Sequence, residues 1–373
     1  MKNKKNGLLA LLGIDLPIVQ APMAGISTPA MAAAVSNAGA LGSIAVGASG
    51  VAQVAEMIKT TRGQTANGKP FNVNVFCHQP AKPDREKESA WLQYLKPHFE
   101  KYDAQPPIDI HETYKSFLVD EAMFELLLAE RPAVVSFHFG LPSQDNIDAL
   151  HSAGIVLFAT ATTAEEAATA SRAGIDAIVA QGYEAGGHRG TFDERAYDER
   201  LKTATLVEIL AQAVKTPIIA AGGIMDGADA KLMMSLGATA VQMGTAFLRC
   251  PESTADRFYR QAIESSATTA VKASAVKAST DSPSPTLMTS AISGRPARCL
   301  RNLFTDIGEV VEAERRVQIP DYSTAYDAGK ALIAAAKARS EGGYGSHWAG
   351  QGVARTQEMP AAELVKRLAA EMF

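Results

Sequence analysis

A glycine-rich segment with one histidine, AQGYEAGGHRG at residues 180–190, has the clearest potential for chemistry in this chain. It follows an apolar run, Ala177 to Val179, which indicates a short buried strand. Glycine has no Cβ, so a loop of this composition can bring backbone N–H groups close to a ligand. His188 is the only side chain of the segment whose pKa ordinarily lies near neutral pH. The pattern favours a cofactor edge with a catalytic histidine, and the alternative is a glycine-rich turn with a solvated histidine.

The elements that position this segment are predicted to be short apolar strands separated by helices. Such an alternation indicates parallel strands, because each return along the sheet needs a crossover. Eight strands can close into a (β/α)8 barrel, the TIM barrel of the α/β class. A doubly wound open sheet is the alternative, but no GxGxxG sequence follows the first strand. The predicted strands are 18–20, 40–44, 71–76, 134–137, 155–159, 177–180, 218–221 and 240–243.

The rest of the chain divides into an insertion and two C-terminal parts. Residues 78–131 interrupt the barrel pattern with prolines and charged helices, and we expect them to lie over one face of the core. Residues 1–249 form the predicted barrel with this insertion. Residues 250–320, which show no strand pattern, are predicted to form a small, mainly helical domain inserted after strand eight. Residues 321–373 are predicted to form helices that return to the barrel. The stretch 267–286, rich in Ala, Ser, Thr and Lys, is predicted to be a mobile or helical connection.

Composition limits the functional classes. The chain has 373 residues, of which 47% are hydrophobic, and a net charge of −4 that argues against a nucleic-acid partner. Three separated cysteines without metal spacing suggest reduced thiols. We predict a lead-in helix at the N-terminus, neither a signal peptide nor a transmembrane span, and expect a cytoplasmic monomer or homodimer.

In a barrel of this kind the active site lies at the carboxyl ends of the strands. The predicted ends contain amides, glycines and two histidines, with neither a carboxylate pair nor a cluster of metal ligands, so glycosidase and metal-assisted hydrolytic chemistry are not expected. Amide donors from Gly223, Gly244 and Thr245 could hold a phosphate. Neutral amides could hydrogen-bond a polar ring, and a phosphate with a polar heterocycle suggests FMN. These amides belong to Asn74, Gln181 and Gln242.

Several motifs resemble those of the nitronate monooxygenases, formerly called 2-nitropropane dioxygenases, and of their class I branch in particular. The C-terminal pair YSTAYDAGKAL (322–332) and WAGQG (348–352) resembles additions of class I. EAGGHRG and QMGTAF are shared with FMN-dependent enoyl-acyl-carrier-protein reductases. The other motifs are QAPMAGISTP (20–29), SFHFGLP (136–142), GYEAGGHRG (182–190), AAGGI (220–224) and QMGTAF (242–247).

The resemblance implies a barrel that holds FMN, with the small domain at 250–320 covering the substrate. It implies an enzyme that oxidises alkyl nitronates with O2 to a carbonyl compound and nitrite. The first step would be transfer of one electron to the flavin, and the substrate would be the toxin propionate 3-nitronate, so the activity would be detoxifying. His188 would be catalytic, with His138 as a second active-site histidine, and Gln351 would close over the flavin. Tyr259 is the candidate for an active-site tyrosine of the small domain. The implied FMN contacts are Ala21, Pro22, Met23, Asn74, Gln181, Gly186, Gly187, Gly222, Gly223, Gln242, Met243, Gly244, Thr245 and Gln351.

The resemblance implies that Tyr322, Tyr326 and Lys330 line the substrate side of the site. These residues are four apart in sequence, which would put them on one face of a helix. An ordinary amphipathic helix would show the same spacing. A nitronate anion could be stabilised by Lys330, a protonated His188 or a tyrosine hydroxyl. His188 could also remove the α-proton of a neutral nitroalkane. Lys330 or the segment around Arg295 could meet a substrate carboxylate.

We interpret five histidines as surface or structural residues. The main alternative function is an FMN-dependent NAD(P)H reductase of an enoyl thioester or quinone. A phosphate-ester isomerase or aldolase is less favoured, because no lysine ends a predicted strand. The five histidines are His78, His98, His111, His151 and His347.

Overall fold

The computed structural model describes residues 7–275 and 284–373. All elements below lie within those ranges. The strands are β1 (Ile18–Gln20), β2 (Gly42–Ala45), β3 (Phe71–Phe76), β4 (Val134–His138), β5 (Val156–Ala161), β6 (Ala177–Gln181), β7 (Gly187–His188), β8 (Ile218–Ala221), β9 (Ala240–Met243), β10 (Thr286–Thr289) and β11 (Ala297–Leu300).

Eight of these strands, all except β7, β10 and β11, form one parallel sheet that closes into a barrel. Its order is β1-β9-β8-β6-β5-β4-β3-β2. A parallel bridge between Val19 and Leu41 joins the two ends, with the N–H of Gln20 donating to the Leu41 carbonyl over 2.9 Å. The predicted TIM barrel is therefore confirmed, and each predicted strand overlaps an observed one.

The helices are α1 (Gly7–Leu12), α2 (Pro29–Asn37), α3 (Val51–Gln64), α4 (Arg85–Glu100), α5 (Glu121–Glu130), α6 (Gln144–Ser152), α7 (Ala164–Arg172), α8 (Thr203–Ala213), α9 (Gly227–Ser235), α10 (Arg257–Ala275), α11 (Leu303–Glu314), α12 (Thr324–Ala338) and α13 (Ala361–Met372). Local chemistry sets where they begin. In α2, for example, the Thr28 hydroxyl accepts the Met31 N–H at 3.0 Å and Pro29 occupies the first turn.

The half of the barrel at the amino ends of its strands is an apolar core, and α1 closes it. Inward-facing residues such as Val19, Phe158 and Ile219 pack against Leu8 and Leu12 of α1. The predicted lead-in helix thus closes the amino-terminal end of the barrel. The opposite end is left for polar groups and for a ligand.

A second hydrophobic core lies outside the barrel and unites three separate parts of the chain. Trp91 and Phe99 of α4 pack with Phe304 of α11, Leu332 of α12 and Tyr344. The insertion therefore packs on the small domain as well as on the barrel. Of the C-terminal helices predicted to return to the barrel, only α13 does so, between α9 and α2. α12 belongs to the second core, because its apolar face meets α4.

A three-stranded antiparallel sheet, β10-β11-β7, connects the small domain to the barrel. We predicted no strands in 250–320, and β10 and β11 correct that prediction. They are only four residues each, and β11 pairs with the two residues of β7, so Ala297 lies opposite His188. Within the connection predicted at 267–286, α10 extends to Ala275 and β10 begins at Thr286, while residues 276–283 lie outside the described residues.

Cys77, Cys250 and Cys299 are free and buried. In the part of the chain that the structure describes, no helix is both long and apolar enough to cross a membrane. Among the same residues, no group of three or more His, Cys, Asp or Glu side chains could hold a metal ion.

Candidate active site

A cavity of about 660 Å³ opens at the carboxyl ends of the barrel strands and extends under the small domain. It is lined by every sequence-predicted cofactor residue except Gln351, by both predicted histidines and by the three predicted substrate residues. Its volume lies in the range of small-molecule and cofactor sites. The sequence-predicted residues brought together here are Ala21, Pro22, Met23, Asn74, His138, Gln181, Gly186, Gly187, His188, Gly222, Gly223, Gln242, Met243, Gly244, Thr245, Tyr322, Tyr326 and Lys330.

Glycines form the wall where β8 and β9 end. Gly222 and Gly223 have φ values of 122° and 74°, in the left-handed region that favours glycine. Among the residues that the structure describes, the N–H groups of Gly223 and Gly244 donate to no protein acceptor. Unpaired backbone donors at the edge of a cavity are suited to an anionic ligand group.

The three predicted amides differ in how free they are. Asn74 donates to the Ser136 carbonyl at 3.1 Å and to its hydroxyl at 2.9 Å. Gln181 donates to the His188 carbonyl at 3.0 Å and accepts the Gly190 N–H at 2.7 Å, so its amide holds the histidine loop. The Gln242 side chain has no hydrogen bond to any described residue and is the amide most available to a ligand.

The small sheet and a serine fix the position of His188. Its Nε2 lies 2.9 Å from the Ser293 hydroxyl, which in turn lies 3.2 Å from the Arg295 carbonyl. A carbonyl only accepts, so the serine proton goes to Arg295 and the His188 Nε2–H donates to the serine oxygen. This assignment leaves Nδ1 of His188 with its lone pair and without a partner among the described residues.

His138 has both ring nitrogens engaged by the protein. Its Nε2 lies 3.3 Å from the His188 carbonyl and must donate to it, so Nδ1 accepts from the Thr160 hydroxyl at 2.9 Å. This geometry suits a residue that holds the His188 backbone. The sequence alone did not distinguish this arrangement from a second acid or base.

Both histidines are neutral at ordinary pH. Burial, followed by the Arg295 cation, lowers the pKa of His138 to about 4. Burial, followed by His138 and Arg295, lowers the pKa of His188 well below its usual value. The expected option of a protonated His188 is therefore disfavoured, and a neutral imidazole with a free Nδ1 remains.

Aromatic rings surround the face of the cavity next to His188. Ring centroids of Tyr322 and Trp348 lie 5.2 and 5.0 Å from that of His188. The Tyr322 hydroxyl is buried without a partner in the described residues, and burial, followed by Tyr114, raises its pKa well above the usual value. A protonated, unpaired hydroxyl beside the cavity is a hydrogen-bond donor awaiting an acceptor.

Lys330 lies on the same side of the cavity. Its ammonium is 4.3 Å from the Tyr114 ring centroid and 5.2 Å from that of Tyr326, at cation–π distance. Partial burial lowers its pKa, and Asp327 opposes that shift. Tyr322, Tyr326 and Lys330 all line the cavity, but only Tyr326 and Lys330 lie on α12, because the helix begins at Thr324 and not at Tyr322 as the spacing suggested.

The cavity lining also includes His347, which the sequence did not place in the site, and Tyr259, the candidate tyrosine of the small domain. His347, interpreted as surface or structural, is 5% exposed, lines the cavity and stacks on Tyr259 at 4.8 Å. Tyr259 also lines the cavity, with its hydroxyl donating to the Trp348 carbonyl. No periodicity marks His347, because it lies in an irregular segment.

Arg295 and Gln351 do not lie where the sequence led us to expect them. Arg295 is 3% exposed, is paired with Glu194 and does not line the cavity, so it cannot meet a substrate carboxylate. Gln351 is exposed outside the lining, and its N–H donates to the Glu184 carbonyl at 3.0 Å. The neighbouring Gly350 and Gly352 line the cavity instead, because this segment packs its backbone against the glycine-rich loop at Gly186.

Comparison with known proteins agrees with this site. The nitronate monooxygenase family model matches residues 5–371. Nitronate monooxygenase from Paraburkholderia phytofirmans is 53% identical over 99% of this chain and 95% of its own length. The enzyme of that name from Pseudomonas aeruginosa is 48% identical over 97% of both chains.

Solved structures show the same architecture. A nitroalkane oxidase from Streptomyces ansochromogenes is 35% identical, with a TM-score of 0.83 over 98% of this chain and 97% of its own. FabK from Thermotoga maritima is 28% identical, with a TM-score of 0.70 over 98% and 95%. From its sequence, fold and cavity, this chain belongs to the nitronate monooxygenase family and is an oxidoreductase.

Proposed function

We propose that this enzyme oxidises alkyl nitronates with O2 to a carbonyl compound and nitrite, using FMN bound at the strand ends. The observation that carries the proposal is the buried, unpaired hydroxyl of Tyr322, beside a cavity that also contains His188 and Lys330. A nitronate carries its negative charge on two oxygens, and such oxygens are strong acceptors for a hydroxyl or an ammonium.

The hydrogen-bond donors at the strand ends suit the phosphate and the polar ring of FMN. The free N–H groups of Gly223 and Gly244 would hold the phosphate, and the unpaired amide of Gln242 would meet a polar edge of the ring. Glycine at 186 lets the loop pack closely on the segment at Gly350, since a Cβ at Gly186 would lie 2.5 Å from the Gly350 nitrogen. Bound there, FMN would supply the one-electron chemistry between nitronate and O2.

The chain's own residues would bind and orient the substrate. The Tyr322 hydroxyl would donate to a nitronate oxygen, and the Lys330 ammonium would meet a carboxylate carried elsewhere on the substrate. The rings of Tyr326, Trp348 and Phe139 would exclude water from the reacting carbon. For a neutral nitroalkane, the lone pair on His188 Nδ1 would accept the α-proton. The name of the solved neighbour, nitroalkane oxidase, supports including these substrates.

Tyr322→Phe should lower kcat/KM for ethylnitronate by about 10- to 100-fold, because a hydrogen bond to a charged group is lost. Nitrite release under steady state would measure it. Tyr94→Phe is the matched control, since Tyr94 stacks on Trp91 outside the cavity lining. Equal activity of the Tyr322→Phe and Tyr94→Phe enzymes would remove the hydroxyl from the proposal.

We further propose propionate 3-nitronate as the physiological substrate, which makes the activity detoxifying. Lys330→Met should then raise KM for propionate 3-nitronate by about tenfold more than KM for ethylnitronate, because only the former has a carboxylate. Lys337→Met is a control on the same helix, since Lys337 lines the cavity but is paired with Asp256 at 2.5 Å. Equal effects of Lys330→Met on both substrates would rule out this assignment.

The alternative function is an FMN-dependent NAD(P)H reductase of an enoyl thioester or quinone, which would share the EAGGHRG and QMGTAF motifs. The FMN-loaded enzyme can be assayed in parallel for nitrite release from nitronates and for NADH consumption. We expect rapid nitrite release and slow NADH turnover, and the opposite ratio would favour the reductase.

We also propose that the enzyme works in the cytoplasm, as a monomer or homodimer without nucleic-acid or membrane partners. Three free, buried cysteines and a net charge of −4 support this placement.

A further inference from the structure

Arg295 is a buried cation whose guanidinium holds the loop that follows His188. It lies on the turn between β10 and β11 and is 3% exposed. Its Nε donates to the Arg189 carbonyl at 3.4 Å, and its terminal nitrogens donate to the Thr191 carbonyl and to Glu194 at 3.3 Å. A buried charge is costly unless it is paired and hydrogen-bonded, and here the available partners come from one loop.

The flat face of the same guanidinium lies against Phe139. The Arg295 Cζ is 4.2 Å from the ring centroid, at cation–π distance. Phe139 has φ of 75°, which is rare for a bulky residue and must be held by its surroundings. Its ring centroid lies 4.3 Å from His138, 5.8 Å from His188 and 5.4 Å from Tyr322. Through this ring, Arg295 supports three side chains of the active site.

We propose that Arg295 is a positioning residue for the reaction, which fastens the His188 loop to the small domain and fixes Phe139 behind the two histidines. It touches neither substrate nor cofactor, because it lies outside the cavity lining. The role in catalysis rests on the proposed function, whereas the positioning itself can be measured without any substrate.

The charge of Arg295 has a consequence for the same histidines. After burial, it is the next cause that lowers the pKa of His138, and it also lowers the pKa values of His188 and His78. A cation in this place therefore keeps the imidazoles neutral as well as in position. The titratable or charged groups that face His188 from the elements packed on it are His78, His138, Arg295, Tyr322 and Tyr326. Those that act on His138 are His188, Arg295 and a second cation, Arg189, which also lowers its pKa.

The test compares Arg295→Met, which removes charge and hydrogen bonds, with Arg295→Lys, which keeps the charge and loses the planar fork. Arg301→Met is the control, because Arg301 lies in the same segment but is partly exposed and paired with Glu309. The full chain is studied by amide hydrogen exchange of residues 187–191 and by ¹⁵N NMR titration of the histidines.

We expect Arg295→Met to speed exchange of these amides by at least about tenfold, since hydrogen bonds to a charged group are lost. It should also raise the titration midpoint of His138 above that of the wild-type protein, because a nearby cation is removed. Arg295→Lys should speed exchange but keep the low midpoint, and Arg301→Met should change neither.

Unchanged exchange and an unchanged midpoint in Arg295→Met would overturn the proposal. If Arg295→Met does not fold, Arg295→Lys decides, and wild-type exchange of residues 187–191 in that variant would equally overturn it. Neither readout depends on activity, so a failure of the nitronate assignment would leave this result interpretable.

Discussion

His188→Asn should lower kcat/KM for nitroethane by about 10²- to 10⁴-fold, the usual contribution of a general base. In the proposed reaction Nδ1 of His188 accepts the α-proton, and asparagine offers no basic lone pair in its place. Ethylnitronate, which has already lost its α-proton, should lose far less activity. Oxygen consumption with the two substrates under identical conditions measures the difference.

The same prediction has a pH dependence with a defined sign. Because burial lowers the pKa of His188, the neutral base persists below the pH at which free imidazole is protonated. We expect kcat/KM for nitroethane to stay level as pH falls through 6.5, the ordinary pKa of histidine, and to decline only at a pH well below that value.

His151→Asn is the control for His188→Asn, since His151 pairs with Asp176 at 3.0 Å and does not line the cavity. Equal losses on both substrates would exclude His188 as the base.

Gly244→Val should weaken FMN binding by at least about 100-fold, because it fills the cavity and removes room for a phosphate at a free N–H. Gly244 has φ of −108°, so the change introduces no left-handed strain. A Cβ there would lie 3.3 Å from the Ala21 Cβ and 3.6 Å from the Met23 sulfur, directed at the cofactor residues. Quenching of flavin fluorescence during titration gives the dissociation constant.

Gly63→Val is the control for that substitution. Gly63 lies near the end of α3 with open space around its Cβ position, and it does not line the cavity. Gly63→Val should keep a thermal transition close to that of the wild type. Gly244→Val should keep a cooperative transition at a somewhat lower temperature, because the 3.3 Å contact with the Ala21 Cβ requires a small local shift. FMN binding of wild-type strength by Gly244→Val would show that the cofactor lies elsewhere.

The barrel could be predicted from sequence because its strands are short apolar runs of regular spacing. Ala177 to Gln181 and Ile218 to Ala221, for example, are buried along their length, as strands of a parallel sheet covered on both faces must be. Closure followed from the number of strands. The small sheet could not be predicted, because β7 has two residues inside a glycine-rich loop and gains its partners only from β11, over a hundred residues later.

The cavity residues at strand ends were predictable for the same reason, since topology alone brings them together. Residues supplied by irregular segments were not. Tyr114 comes from a proline-rich insertion and His347 from a glycine-rich turn, yet both line the cavity. The burial of Arg295 depends on long-range packing with Phe139 and Glu194, so its sequence context showed only a basic segment.

The most direct test of the nitronate assignment is anaerobic mixing of the FMN-loaded protein with propionate 3-nitronate while the absorbance of bound flavin is followed. We predict rapid loss of the oxidised flavin spectrum, then its return on admission of air together with nitrite release. A bound flavin that ignores the nitronate but bleaches rapidly with NADH would contradict the nitronate assignment and favour the reductase.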